Sequence, residues 1–148
     1  GDRRRRYVRL VREPLEQLGI ATSRPSGQVL FVCSHNSARS QLAAALWSAR
    51  TGEPAASAGT HPAQRVHPGA IAAAERIGLD LNDAVPTLLD SDVTADLVVT
   101  VCDRAHEELE PEPSWWHWSL VDPVADGRAS AFDDATVELE QRISSFVK

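Results

Sequence analysis

A cysteine and an arginine flank five residues in one short polar stretch, Cys33-Ser34-His35-Asn36-Ser37-Ala38-Arg39-Ser40. An apolar run precedes the stretch and helix-forming residues follow it, so its backbone amides should converge at a helix N-terminus, where anions bind. The planar guanidinium of Arg39 matches a tetrahedral oxyanion, and the same positive field favours the thiolate of Cys33. The stretch predicts an oxyanion-binding loop, Ser34 to Ser40, with a nucleophile aimed at the centre of the anion.

Two further residues of this loop are suited to supporting it. Asn36 tolerates the left-handed backbone that a tight cradle needs, and its side chain can brace the loop. Ser40 can donate a hydrogen bond to the thiolate of Cys33. The alternative is a buried cysteine at the end of a strand and an unrelated surface arginine, since such a spacing also arises by chance. The strand, loop and helix context favours the oxyanion site.

A carboxyl group that could complete this chemistry stands near the end of the chain, at Asp122-Pro123. Attack by a thiolate on an oxyanion needs an acid to protonate the leaving oxygen, and a carboxyl on a loop can supply that proton. Taken alone, an Asp-Pro pair indicates only a turn. Together with the loop it makes a set of nucleophile, cradle and acid.

The elements that must position these residues alternate between strands and helices. Apolar, β-branched runs predict strands at 28–33, 55–60, 96–102 and 115–119. Helix formers with proline and glycine boundaries predict helices at 38–50, 68–78, 103–109 and 131–147, with a loop at 121–127. Leu42, Leu46 and Ala49 should lie on the inward face of the first helix. This alternation predicts a parallel sheet with helices on both faces.

Composition indicates one compact domain with a short basic appendage. The chain has 148 residues, 43% of them hydrophobic and 24% charged, with no apolar run long enough to cross a membrane. Two cysteines cannot build a disulfide scaffold, so a reducing, cytoplasmic setting is expected. Six arginines fall in residues 1–12, whereas residues 13–148 carry 9 basic and 20 acidic residues. That body should repel nucleic acid.

Four segments together resemble the low-molecular-weight tyrosine phosphatase superfamily, and within it the arsenate reductases most of all. They are VLFVCSHNSARSQLAAALW, SAGTHPAQRVHPGA, DLVVTVCD and HWSLVDP, and the resemblance covers residues 28–148. It implies a four-stranded parallel sheet flanked by helices. It also implies that Cys33 is the nucleophile, Arg39 the oxyanion clamp, Asn36 and Ser40 loop supports, and Asp122 the general acid.

The resemblance leaves open whether the chain is a phosphatase or a reductase. Phosphatases of this family usually carry aromatic residues after the Asp-Pro pair, whereas Val124 to Gly127 follow here, and Thr60 to Ala63 also lack a ring. Both departures favour arsenate or another small oxyanion. Cys102 stands where the reductases carry the second thiol that attacks the cysteine–arsenate adduct. Its alternative role is a small buried residue at the end of a strand.

Other departures concern the reductant and ions. Thioredoxin-coupled members carry a third cysteine where this chain has Leu109, so an external thiol is expected, namely mycothiol, glutathione with a glutaredoxin, or thioredoxin. No bound cofactor or metal is expected, and Ala44 stands where some members have an acidic potassium ligand. The histidines His61, His67, His106 and His117 have no metal-ligand spacing, and solvated or capping roles are predicted for them. Two roles are open for Trp115, Trp116 and Trp118, a wall of the active site and packing of the last strand against the sheet, and packing is favoured.

The first residues have a resemblance of their own. GDRRRRYVRLVREPLEQLG resembles the last wing strand and following helix of arsenic-responsive winged-helix repressors, and a solvated basic tail is the alternative. The expected division is a remnant at 1–20, a linker at 21–27 and the phosphatase-like domain at 28–148. The absence of methionine indicates a processed chain or a fragment. Operator DNA would bind only if a complete winged-helix domain preceded the chain, in which case the domain could also be an oxyanion sensor.

Overall fold

The computed structural model describes residues 27–90 and 94–146. This part contains one parallel sheet in the order β2-β1-β3-β4, with β1 at Val29–Cys33, β2 at Ala55–Gly59, β3 at Leu97–Thr100 and β4 at Trp116–His117. Its helices are α1 at Arg39–Thr51, α2 at Pro68–Arg76, α3 at Asp103–Leu109, α4 at Pro123–Asp126 and α5 at Ala129–Ser144. The predicted four-stranded parallel α/β fold is confirmed.

Strand β1 lies at the centre of the sheet and ends at Cys33. Its residue Val29 pairs with Ala55 of β2 on one side and with Leu97 of β3 on the other. Because all strands are parallel, their carboxyl ends share one edge of the sheet, where ligand sites of open α/β sheets lie. The loop that follows Cys33 and the segment that follows β3 therefore meet at that edge.

The core packs helices against β1. Phe31 of β1 is fully buried between Trp47 of α1, at 5.9 Å between ring centroids, and Trp118, at 5.7 Å. Trp116 of β4 stacks on Phe146 at 5.1 Å. Trp116 and Trp118 thus pack the end of the sheet against the core, as predicted.

Several boundaries differ from those predicted. The expected loop at 121–127 contains the one-turn helix α4, because Asp122 accepts a hydrogen bond from the N–H of Val124 at 3.0 Å and Pro123 presets the first helical position. Ala49 is exposed, so its predicted inward orientation is wrong, and Trp47 is buried instead. Strand β4 has two residues. The predicted remnant at 1–20 and nearly all of the linker lie outside the described residues.

No helix in the described part of the chain is both long enough and apolar enough to cross a membrane.

Gly69 marks a close contact between α2 and α5. A Cβ atom built at Gly69 would lie 2.5 Å from Cε2 of Phe132, whose ring stacks on His67 at 4.9 Å. In an open helix, Gly→Ala would stabilise by about 1 kcal/mol. Here we expect Gly69→Ala to lower the free energy of unfolding by about 1–3 kcal/mol, because the ring must shift. Urea unfolding measures the change, and a stabilised variant would contradict the packing described.

Candidate active site

The loop after β1 wraps around the sulfur of Cys33. The backbone N–H of Asn36 donates to Cys33 Sγ at 3.2 Å, and Ser40 Oγ lies 2.9 Å from the same atom. Ser40 Oγ accepts a hydrogen bond from Asn36 Nδ2 at 2.6 Å, so its own hydrogen is available to the sulfur. Cys33 is 3% exposed. The sulfur is thus held at the base of the loop by groups that stabilise a thiolate.

The carbonyl groups of the loop point away from the sulfur and are bonded by the segment that follows β2. The carbonyls of Ser34, His35 and Ser37 accept hydrogen bonds of 2.7–2.9 Å from the amides of His61, Ala63 and His67. A planar trans peptide directs its N–H opposite to its C=O. Outward carbonyls therefore turn the amides of His35, Asn36 and Ala38 inward, which is the arrangement an anion cradle needs.

Asn36 fixes the turn of this loop. Its φ of 52° is left-handed, as predicted, and its side chain is fully buried. The Asn36 Oδ1 atom accepts hydrogen bonds from the N–H of Thr87 at 2.9 Å and from Gln41 Nε2 at 3.1 Å. Gly59 makes room for the loop, because a Cβ there would lie 2.7 Å from the Ser34 carbonyl oxygen. The sequence reasoning missed Gln41, Gly59 and Thr87, and only the placement of Gly59 at a strand end was a signal.

The first turn of α1 has no side-chain cap. Ala38 occupies the N-cap position without a side-chain hydrogen bond, and the first turn holds no acidic residue. The first N–H groups of a helix have no carbonyl partner within it, and the helix dipole makes that end positive. These donors add to the loop amides. No capping side chain occupies the positive end of this helix, so that end can bind an anion.

Arg39 and Asp122 lie side by side in the lining of a pocket of about 350 Å³. Arg39 Nη1 donates to the carbonyl oxygen of Leu120 at 3.0 Å, and Nη2 lies 3.7 Å from Asp122 Oδ2. The Arg39 side chain is 11% exposed and that of Asp122 is 39% exposed. The lining residues are Ser34, His35, Arg39, Cys102, Asp103, Arg104, Leu120, Val121 and Asp122. The structure thus brings the predicted clamp and the predicted acid to one pocket, and adds Arg104, which was not predicted.

The second cysteine reaches the same pocket. Cys102 follows β3, occupies the N-cap position of α3 and accepts a hydrogen bond from the N–H of Ala105 at 3.4 Å. Its Sγ lies 3.3 Å from Ser34 Oγ in the oxyanion loop. Burial raises the pKa of the Cys102 thiol, but hydrogen bonds from Ser34 and Ala105 and the charge of Arg39 together outweigh it, so the net pKa is lowered. Cys33 and Cys102 are both free thiols.

The histidines divide into two kinds. His67 caps α2 by accepting from the N–H of Gly69 at 2.9 Å, and the exposed His61 pairs with Glu108 at 3.1 Å, both as predicted. His106 and His117 are instead half-buried and stacked at 4.0 Å, so the solvated or capping roles predicted for them are wrong. Within residues 27–90 and 94–146, no His, Cys, Asp and Glu side chains form a group that could hold a metal ion.

A parallel sheet whose central strand delivers a thiol into a cradle of amides defines a cysteine-dependent protein that acts on oxyanions. The chain belongs to the low molecular weight phosphotyrosine protein phosphatase family, whose sequence model matches residues 28–148.

The chain is similar to arsenate reductases in sequence, and it shares its fold with a phosphatase of known structure. An arsenate reductase of Brevibacillus brevis is 33% identical over 127 residues, covering 81% of this chain and 93% of the relative. The structure of a thioredoxin-dependent arsenate reductase from Corynebacterium glutamicum is 28% identical, with a TM-score of 0.65, covering 93% of this chain and 69% of the other. A low molecular weight protein tyrosine phosphatase from T. tengcongensis shares the fold, with a TM-score of 0.71 at 22% identity, covering 81% of this chain and 97% of its own.

The contact between Ser34 and Cys102 yields a test in the Cys33→Ser variant, in which Cys102 is the only thiol. Removing the Ser34 hydroxyl takes away a hydrogen bond that favours the thiolate. We therefore expect Ser34→Ala to raise the pKa of Cys102, so that its thiolate forms at higher pH. Ultraviolet absorbance of the thiolate during a pH titration measures this. Ser37→Ala is the matched control, because its hydroxyl bonds neither sulfur, and an unchanged titration in Ser34→Ala would contradict the assignment.

Proposed function

We propose that the protein is an arsenate reductase in which Cys33 and Cys102 supply the two electrons. The observation that carries this proposal is the second thiol in the lining of the pocket, 3.3 Å from the loop hydroxyl of Ser34. A phosphatase needs one thiol, whereas a reductase needs a second sulfur that attacks the first, forms a disulfide and releases arsenite. The arsenate reductases among the relatives support the same conclusion.

In the first step the Cys33 thiolate attacks the arsenic atom of arsenate. A sulfur–arsenic bond forms and one arsenic–oxygen bond breaks. Asp122, which lines the same pocket as Arg39, gives its proton to the departing hydroxyl, which leaves as water. The inward amides of the loop, the uncapped end of α1 and the guanidinium of Arg39 hold the remaining oxygens. We assign Ser34 to Ser40 to substrate binding on this basis.

In the second step the Cys102 thiolate attacks Cys33 Sγ. A disulfide forms, the sulfur–arsenic bond breaks, and its electron pair stays on arsenic, which leaves as arsenite. Two thiolates are oxidised while arsenic is reduced from the pentavalent to the trivalent state. The lowered pKa of Cys102 favours the attacking thiolate. A disulfide needs its β-carbons about 3.5–4.5 Å apart, and the proposal requires Cys102 and Cys33 to reach that separation.

The cycle then needs an external thiol to reduce the disulfide. We propose mycothiol, glutathione with a glutaredoxin, or thioredoxin, and no bound cofactor. Thioredoxin gains support from the name of the Corynebacterium glutamicum relative. Leu109, at the end of α3, stands where a third cysteine would relay the oxidation, so the reductant acts on the Cys33–Cys102 bond itself. Because both thiols must be kept reduced between cycles, we place the protein in the cytoplasm.

The pocket favours a small inorganic oxyanion over an aryl phosphate. Its lining contains no Phe, Tyr or Trp among the described residues that could grip a phenol ring. Leu120 and Val121 supply the apolar part of the wall, and Val121 is 81% exposed. Phosphatase activity is therefore the alternative that the experiments below must separate from arsenate reduction.

We further propose that residues 1–20 are the remnant of a winged-helix repressor domain, joined by 21–27 to the reductase domain at 28–148. The six arginines of residues 1–12 support this, and the family match that begins at residue 28 is consistent with the boundary. A segment of this length is too short to form a DNA-binding domain alone. Fluorescence anisotropy with operator DNA should detect no sequence-specific binding by this chain.

The role of Asp122 is tested by Asp122→Asn, which keeps the shape of the side chain but removes the proton donor. We expect the first chemical step to slow by about 10²–10⁴-fold, the usual contribution of a positioned acid. Rapid-quench measurement of adduct formation on arsenate gives this rate. Asp126→Asn is the control, because Asp126 lies on the same short helix but pairs with the exposed Arg128. An unchanged rate in Asp122→Asn would assign the proton to another group.

The two cysteines are tested by a single turnover without added thiol. Arsenate and wild-type protein should yield one arsenite and one Cys33–Cys102 disulfide per chain, measured by arsenic speciation and mass spectrometry. Cys33→Ser should yield neither, although its fold survives. Cys102→Ser should stop at the Cys33 adduct. Full turnover of Cys102→Ser with thiol would make Cys102 structural, and hydrolysis of phosphate esters without any arsenite would reassign the protein to the phosphatases.

A further inference from the structure

Most arginines in the described part of the chain are paired with a carboxylate. Within residues 27–90 and 94–146, five arginines form an ion pair with an aspartate or glutamate, namely Arg39, Arg50, Arg76, Arg128 and Arg142. Arg65 and Arg104 are exposed and form no ion pair with a carboxylate of this part. Of these two, only Arg104 lines the active-site pocket. The pocket therefore contains a guanidinium that can pair with an incoming anion.

The two carboxylates in the lining of the pocket have other partners. Asp103 accepts hydrogen bonds from Ser119 and from His117, the latter at 2.8 Å, and these contacts hold the pKa of its carboxyl below the ordinary value. Asp122 lies 3.7 Å from Arg39. An anion that enters the pocket can thus pair with Arg104 without displacing either carboxylate.

Arg104 and the second thiol belong to the same short stretch of chain. Cys102 is the N-cap of α3, Arg104 is the second residue of that helix, and both line the pocket. Glu108 lies one turn further along α3, where it is bonded by His61 at 3.1 Å, and Arg104 acts on it only through its charge. A small molecule whose sulfur reaches Cys102 therefore has the guanidinium of Arg104 in the same pocket.

The charge of the rest of the domain favours this position for a second anionic group. Residues 13–148 carry 9 basic and 20 acidic residues, so most of the surface repels anions. In the pocket, Arg39 donates to the carbonyl oxygen of Leu120 at 3.0 Å and belongs to the oxyanion cradle. Arg104 lies outside the cradle, and a guanidinium can bind a carboxylate through two parallel hydrogen bonds. The chemistry of Arg104 thus fits a ligand with a carboxylate.

We propose that Arg104 binds the carboxylate of a small acidic thiol, and that this thiol regenerates the enzyme by attacking Cys102. Among the reductants considered above, glutathione is a thiol of this class. The regeneration step rests on the proposed disulfide between Cys33 and Cys102. The carboxylate site beside Cys102 does not itself involve arsenate.

Two thiolates of the reductant restore the two thiols of the protein. The first attacks Cys102 Sγ, a bond forms between these sulfurs, and the Cys33–Cys102 bond breaks with its electron pair on Cys33. The N–H of Asn36 and the hydroxyl of Ser40, which contact Cys33 Sγ, stabilise this leaving thiolate. The second thiolate attacks the reductant sulfur of the mixed disulfide, and Cys102 leaves as a thiolate. The protein disulfide is reduced, and two small thiols are oxidised to one disulfide.

The second of these exchanges can be measured in reverse, without arsenate. In full-length Cys33→Ser, Cys102 is the only thiol, and its attack on an added disulfide passes through the same transition state. Glutathione disulfide supplies carboxylates, hydroxyethyl disulfide is the neutral reference, and mass spectrometry follows both mixed disulfides. We expect Arg104→Gln to lower the ratio of the two rates about twofold to fivefold, as expected for an ion pair of an exposed side chain. The ratio cancels any change in the thiolate fraction or the exposure of Cys102.

Arg65→Gln is the matched control, because it removes the same charge from an exposed arginine that does not line the pocket. The ratio should stay unaltered in this variant. Arg104→Lys keeps the charge and should restore part of the preference for glutathione disulfide, and about 1 M salt should remove the effect of Arg104→Gln. A ratio that is unchanged in Arg104→Gln, or that falls equally in Arg65→Gln, would overturn the proposal. So would a Cys102 that reacts with neither disulfide, because no thiol could then reach it.

The carboxylate site and the reductase proposal fail separately. If Cys102→Ser completes turnover with thiol while the exchange ratio depends on Arg104, the carboxylate site stands and the regeneration step falls with the resolving role. If single turnover gives the disulfide while the ratio ignores Arg104, the reductase stands and the carboxylate site falls. Reduction of that disulfide by thioredoxin but not by glutathione would overturn the assignment to a small thiol.

Discussion

The geometry of the active site depends on the direction of the peptide groups in the loop after β1. Amides can converge on an anion only if the carbonyls of the same peptides find donors on the outside. The segment from Thr60 to His67 supplies those donors, and it can approach because Gly59 has no side chain to collide with the loop. Asn36 then closes the turn with a left-handed backbone. The conformation of the cradle therefore depends on β2 and on the segment that follows it as much as on the loop itself.

The parallel sheet brings together two thiols that are far apart in sequence. Val32 of β1 pairs with Thr100 of β3, and the N–H of Val101 continues this pairing by donating to the Val32 carbonyl at 2.8 Å. Each strand then ends in a cysteine-bearing segment at the same edge. The two sulfurs differ in their supports, since Cys33 is held by a loop and a helix end within the core, whereas Cys102 begins the seven-residue helix α3.

Local sequence patterns were enough to predict most of the fold and the position of the nucleophile. The features that were not predicted depend on contacts between residues far apart in the sequence. The strand before Cys33 and the loop to Ser40 form one continuous segment, so composition and spacing sufficed to predict them. Thr87 supports Asn36 from 51 positions away, and nothing near Thr87 signals that contact. His106 and His117 were predicted to be solvated because their spacing fits no ligand motif, yet a shared hydroxyl from β3 packs them together. Hydrophobic periodicity along the chain cannot predict two side chains that contact each other through a residue of a third element.

The nucleophile lies at the end of the central strand, whereas the second thiol lies at the start of a short helix. These two elements should open on different timescales. Strand β1 is hydrogen-bonded on both sides, and such strands open only when the whole domain unfolds. Helix α3 has one fully buried residue, Ala105, and short peripheral helices open locally at far lower free energy. Hydrogen exchange should thus be slow in β1 and fast in α3 of the same molecule. Helix α3 can then open many times while Cys33 and its cradle stay in place.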